Sequence, residues 1–175
     1  MGSEDTMRRH HLIAVSLAAL AVAGAAAAAA PAAPAAPRCP AHSIATVAPN
    51  SWTPARRKLL PAGAGALRLC RYNGLVGTSR PKLAGSREIS SAAQIAQLTH
   101  DLDALPPYPK LALPCPLDNG AQVDVLAAFP GAQRVTVSYD STGCNRVTNG
   151  DVVSIANGYK DEALAARLRR ELSTS

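Results

Sequence analysis

The sequence predicts an α+β domain: an antiparallel sheet of four to six strands, two helices able to cover one face, and two disulfides. Three observations carry this. Short runs alternate apolar and polar side chains with the period of a strand, and Asn-Gly or Pro-Gly punctuates them. Two longer stretches repeat apolar residues at spacings of three and four. Four cysteines, Cys39, Cys70, Cys115 and Cys144, all follow a segment that reads as an export signal.

That segment comes first. Arg8, Arg9, His10 and His11 form a basic n-region, with Met7 as an alternative start. Leu12 to Ala23 is apolar, and small residues from Gly24 to Ala30 offer A-x-A cleavage sites. The leucine-bearing part is about a dozen residues, short of the roughly 20 that span a bilayer. Residues 1–30 are therefore expected to be a cleaved signal peptide, touching the membrane only before cleavage, with the mature chain starting between residues 27 and 37. No cysteine in a lipoprotein context follows the apolar run. Residues 31–38, PAAPAAPR, read as an Ala/Pro-rich tether. Residues 39–175 then make a single secreted α+β domain of 137 residues, enough for one core. With one Phe and one Trp that core is thin, so cross-links matter.

An even cysteine count in an oxidising compartment implies two bonds, and four cysteines allow three pairings. Cys39–Cys70 and Cys115–Cys144 are chosen because the central hairpin supports the second. The cysteines form no C-x-x-C and do not cluster with histidine, so no metal site is expected.

Residues 40–65 read as an irregular wrap with at most a short helical turn. Ala66 to Tyr72 alternates and meets Asn73-Gly74, which predicts a strand with Leu67, Leu69 and Arg71 on one face and Arg68, Cys70 and Tyr72 on the other. A return strand is expected near Arg87 to Ile89. Ser91 and Gln94 fit a capping box, and Ile95, Leu98, Leu102 and Leu105 form a helical stripe that stops before Pro106-Pro107. PPYPKLALPCP is then an extended crossing.

The centre of the fold is Cys115 to Cys144. Val123, Val125 and Ala127 alternate, as do Val135, Val137 and Tyr139, around a Pro-Gly turn. Pairing Ala127 with Gln133 sets Val125 against Val135 and Val123 against Val137. A one-residue slip would set Val125 against Arg134, on the wrong face. Continued outward, this register brings Cys115 and Cys144 within one residue of a direct pair. A second hairpin is expected from Arg146-Val147-Thr148 and Asp151-Val152-Val153 around Asn149-Gly150. The last helix should span about 160–172, with Asp161 and Glu162 at its start, Arg167, Arg169 and Arg170 near its end, and a stripe of Leu164, Leu168 and Leu172.

Catalytic signals are poor. His100 adjoins Asp101, but neighbouring helical residues do not face each other. No G-x-S-x-G, H-E-x-x-H or glycine-rich phosphate loop occurs, and no cofactor signature is present. Asp118 and Asp124 flank Asn119-Gly120, a pattern that favours an Asx-turn over a cation site. Residues 38–175 carry 16 Lys/Arg against 10 Asp/Glu, a net charge of +6. Nucleic acid is not expected as a partner in an exported protein without aromatic interleaving. An extracellular protein or an anionic cell-wall polymer suits the charge better.

LRLCRYNGL, a helix ending in LP, the CP-x-D-x-G start and the V-x-V-x-Y-x-x-x-GC-x-x-V-x-NG tail resemble a group of uncharacterised secreted proteins of high-GC Gram-positive bacteria, over residues 50–172. The resemblance implies a shared fold and disulfides and no activity. In domain size and disulfide number the chain is also similar to the small secreted subtilisin inhibitors of those bacteria, although the cysteine contexts differ. The function expected is a non-enzymatic extracellular or cell-envelope binding domain. The alternatives are a protease inhibitor presenting a loop at 73–85 or 106–114, and a hydrolase with an unrecognised site.

Overall fold

The structure is a computed structural model that describes residues 34–44, 46–74, 80–110, 115, 117–156 and 161–173, all within a unit spanning 32–175. The expected signal peptide lies outside the described residues. Six strands form one antiparallel sheet: β1 (Ala66–Tyr72), β2 (Leu83–Ile89), β3 (Gln122–Ala128), β4 (Arg134–Asp140), β5 (Arg146–Thr148) and β6 (Val153–Ile155). Their order is β2-β1-β3-β4-β5-β6. Two helices, α1 (Ala92–Asp103) and α2 (Asp161–Ser173), complete the expected α+β fold.

The period-two pattern of each strand decides what it buries. Leu67 and Leu69, Val123, Val125 and Ala127, Val135 and Val137, and Val147 share one core with Ile95, Leu98 and Leu102 of α1 and Leu164 and Leu168 of α2. Thus the leucine stripes of both helices lie where their spacing puts them. The helices also engage each other: Arg167 donates to Asp101 at 2.7 Å, and Gln94 Nε2 to Glu171 Oε1 at 3.3 Å. Ser91 caps α1 by position only. Its side chain makes no capping bond, and Gln94, the expected capping-box partner, reaches α2 instead.

The opposite sheet face is crossed by the wrap that precedes β1. Cys39 is bonded to Cys70, Tyr72 Oη donates to the Pro40 carbonyl, and Gln122 Nε2 to the Ile44 carbonyl. Asn50 then donates through its backbone N–H to Asp151 Oδ2. Upstream, Arg68 Nε donates to the Pro37 carbonyl, so the end of the Pro/Ala stretch runs along β1. After Asn50 the chain turns to the helix side. Thr53–Arg56 is a single 3₁₀ turn, the Trp52 ring lies 4.7 Å from Phe129, and Leu59 and Leu60 enter the core.

Both sheet edges are partly covered, which limits edge-to-edge pairing. Ser43 N–H donates to the Pro81 carbonyl and Leu83 N–H to the Ala41 carbonyl beside β2. Tyr108 N–H donates to Val153 and Ile155 N–H to Pro106 beside β6.

Besides the capping box, three expectations need correction. The return strand begins at Leu83, not near Arg87. The central hairpin pairs Ala127 with Val135, Val125 with Val137 and Val123 with Tyr139, a register two residues from the expected one on the same face. The cause is the turn: Phe129 N–H donates to the Gln133 carbonyl and Gly131 and Ala132 take positive φ, so five residues link the strands. The second hairpin pairs Thr148 with Val153, because Asn149 to Val152 form a longer loop than Asn149-Gly150 alone.

Candidate functional site

The row of side chains at one end of the helix-side sheet face makes a cavity. The register places Gly85, Arg71, Val123, Tyr139 and Val147 side by side across β2, β1, β3, β4 and β5. The next rows along β1, β3 and β4 are Leu69, Val125 and Val137, then Leu67, Ala127 and Val135, all in the core under the helices. At this end Arg71 stands where Leu67 and Leu69 stand further along β1, two and four residues back on the same face. A guanidinium cannot be buried unpaired, so the core does not close over it. The result is a cavity of about 590 Å³ with Arg71, Val123 and Tyr139 from the sheet and Ala165, Leu168, Arg169 and Leu172 from α2. That size lies within the roughly 300–1,000 Å³ of ordinary ligand pockets.

Its floor is apolar and its rim basic. Leu168 is buried and Leu172 packs partly against the core, whereas Arg71 and Arg169 are exposed. Gly85 leaves room beside Arg71: a Cβ there would be 3.7 Å from Arg71 Nη2. Glu171, next to Leu172 on α2, is engaged with Arg87 at 3.3 Å. Among the described residues, neither Arg71 nor Arg169 has an ion pair or side-chain hydrogen bond.

A second polar site lies under the wrap. Gln122 Nε2 donates to Asp124 Oδ1 and to Ser138 Oγ, both at 2.6 Å. Asp124 is 0 % exposed, and its Oδ2 has no hydrogen-bond partner among the described residues. Burial pushes its carboxyl above the ordinary value, against the lowering effect of Gln122 and Ser138. The Tyr72 hydroxyl is pushed up to about 12, first by burial and then by the Asp124 charge.

The residues singled out from the sequence are dispersed. Cys115 and Cys144 are bonded, with Cα atoms 4.9 Å apart, and Cys39 and Cys70 are bonded at 5.7 Å. Asp118 Oδ1 accepts from Gly120 N–H and Asn119 Oδ1 from Ala121 N–H, so both make Asx-turns. Thr142 Oγ1 ties these turns to the cysteine loop by donating to Asp118 Oδ1. Asp124 is on the sheet, apart from this turn. His100 Nδ1 is 3.5 Å from Asp101 Oδ1, but Asp101 also binds Arg167, and together these link the helices. His42 belongs to the bridge with Lys82. Of the proposed inhibitor loops, 83–85 is part of β2 and 106–108 pairs with β6; 75–79 and 111–114 lie outside the described residues.

Sequence reasoning gave Arg71 its correct face but not its place at a cavity. The signal was an arginine continuing a leucine row, on a strand whose cross-strand neighbours are Val123 and Tyr139. Among the described residues, no group of three or more His, Cys, Asp or Glu is placed to hold a metal ion, and no helix is long and apolar enough to cross a membrane. No family model, no curated protein and no solved structure matches this chain.

Proposed function

We propose that this chain is an exported, disulfide-stabilised binding domain of the extracellular or envelope space, and that its working site is the cavity beneath α2. The observation that carries the binding reading is the cavity itself: an apolar floor with convergent polar groups, open at the end of an otherwise filled sheet face. Export is supported by the basic-then-apolar N-terminus and by two disulfides, which persist in oxidising compartments.

Two measurements test this. N-terminal sequencing of protein recovered outside the cell should find a start between residues 27 and 37. Recovery only as an intact, membrane-bound chain would overturn the export reading. A neutral apolar fluorophore such as N-phenylnaphthylamine should bind the wild type at one site. Ala165→Trp, which puts an indole into the cavity from α2, should weaken that binding by about tenfold or more. Unchanged binding would exclude the cavity as the site.

A further inference from the structure

We propose that the cavity takes a single-tailed anionic amphiphile of the fatty-acid type: its head group lies between Arg71 and Arg169, and its tail runs over Val123, Tyr139, Leu168 and Leu172. This rests on the reading of the cavity as the binding site. The two parts of the ligand follow from the two parts of the wall. Apolar side chains with room between them favour an aliphatic body, whose burial gains roughly 0.8 kcal/mol per methylene. Two guanidiniums at the rim favour an anion, since Arg presents a planar fork that matches carboxylate or phosphate oxygens.

What marks this end of the molecule is that two arginines without an ion pair line one cavity. Arg68, Arg87, Arg146 and Arg167 each pair with an acid on a neighbouring element. Arg71 and Arg169 come from different elements, β1 and α2, yet meet at one cavity. Like charges brought together without an acid repel each other, and an anion between them removes that repulsion. A cationic ligand would add to it. The net charge of +6 adds a long-range attraction for anions.

The test is calorimetric titration of the secreted protein with decanoate, decanol and acetate, and of Arg71→Ala and Arg169→Ala. Both arginines are exposed, so both variants should melt with the wild type. Decanoate should bind one-to-one and acetate should not bind. Each arginine variant should weaken decanoate by about tenfold, the scale of a charge-assisted contact, and leave decanol unchanged. Decanol binding as tightly as decanoate, or arginine variants within about twofold of wild type, would overturn the anionic head while leaving the cavity reading intact. No binding by either ten-carbon probe, together with no effect of Ala165→Trp on the fluorophore, would remove both. Capture by anionic phospholipid vesicles without binding of decanoate would overturn the proposal in favour of a membrane surface.

Discussion

Asn149 holds together segments some ninety residues apart in sequence. Its Nδ2 donates to the carbonyls of Ala55, Lys58 and Leu59, and its Oδ1 accepts from the N–H groups of Asp151 and Val152. The side chain is 0 % exposed. It therefore closes the loop between β5 and β6 and anchors the 3₁₀ turn that feeds Leu59 and Leu60 into the core. Gly150 is needed beside it: φ is +94°, and a Cβ would sit 2.5 Å from the Ala48 carbonyl oxygen. Asn149→Ala would strand buried carbonyls and N–H groups, and should cost about 3 kcal/mol in chemical denaturation. Asn149→Asp keeps the acceptor and the shape but loses the donors, and adds a charge facing carbonyls. It should be at least as damaging. An Asp variant of wild-type stability would show that the donors do not matter. The Asn-Gly pair was legible as a turn. That its Asn points inward was not, because the partners are distant and local spacing carries no trace of them.

The central hairpin shows what alternation can and cannot decide. Valine periodicity selects the face, since an odd slip would bury Arg134, and it cannot separate registers that differ by two. The five-residue turn made that choice, through a hydrogen bond across Phe129 and Gln133 and positive φ at an alanine, which composition does not announce. Beyond the last pair, Gln122 with Asp140, the Asx-turns at Asp118 and Asn119 hold the strand ends, and the Cys115–Cys144 bond closes the loop. A loop of this length contributes roughly 3–4 kcal/mol in the chain-entropy model. That is a large share of a typical total of about 5–15 kcal/mol. Cys115→Ser with Cys144→Ser should therefore lower the melting temperature by about 10 °C or more, at roughly 2–8 °C per kcal/mol for domains of this size range. The comparison holds without reductant, with Cys39–Cys70 read as intact by peptide mapping, and reduction of both bonds in both proteins should abolish the difference. A change of under a degree or two would assign the hairpin's stability to the Asx-turns and the ladder alone.

At the scale of the molecule the sheet has two unlike faces. The helix side is mostly apolar, with Arg87 paired to Glu171 of α2 and Arg71 at the cavity. The side under the wrap carries Gln122, Asp124, Ser138 and Asp140 among apolar neighbours. Strand alternation made both faces legible, and leucine spacing gave each helix its stripe. Which end of the sheet α2 covers was not legible, because helix placement is set by long-range packing, so the cavity appeared only in three dimensions. Its carboxyls give the protein opposing pH responses. Burial raises Asp124 above the ordinary carboxylate value, and it raises Asp140 in spite of Arg146. A carboxyl raised in the folded state contributes stability that is full below about pH 4 and is lost as pH climbs through the raised value. Asp101 behaves oppositely. Burial pulls it up, but hydrogen bonds from Gln97 and Arg167 and the Arg167 charge outweigh this and hold it low. Asp151 is also held low, first by the Asn50 N–H. Their stabilisation is present above about pH 4 and is lost as pH falls. Asp124→Asn keeps an acceptor for Gln122 and removes one titration. Its melting temperature, compared with wild type at pH 4, 5, 6 and 7, should improve progressively as pH rises. Asp101→Asn should instead stay behind wild type by a nearly constant margin from pH 5 to 7 and catch up only as pH falls below about 4. A difference for Asp124→Asn that is flat or shrinks with pH would mean that the buried carboxyl ionises in the fold without cost, and that the wrap does not seal this face from water.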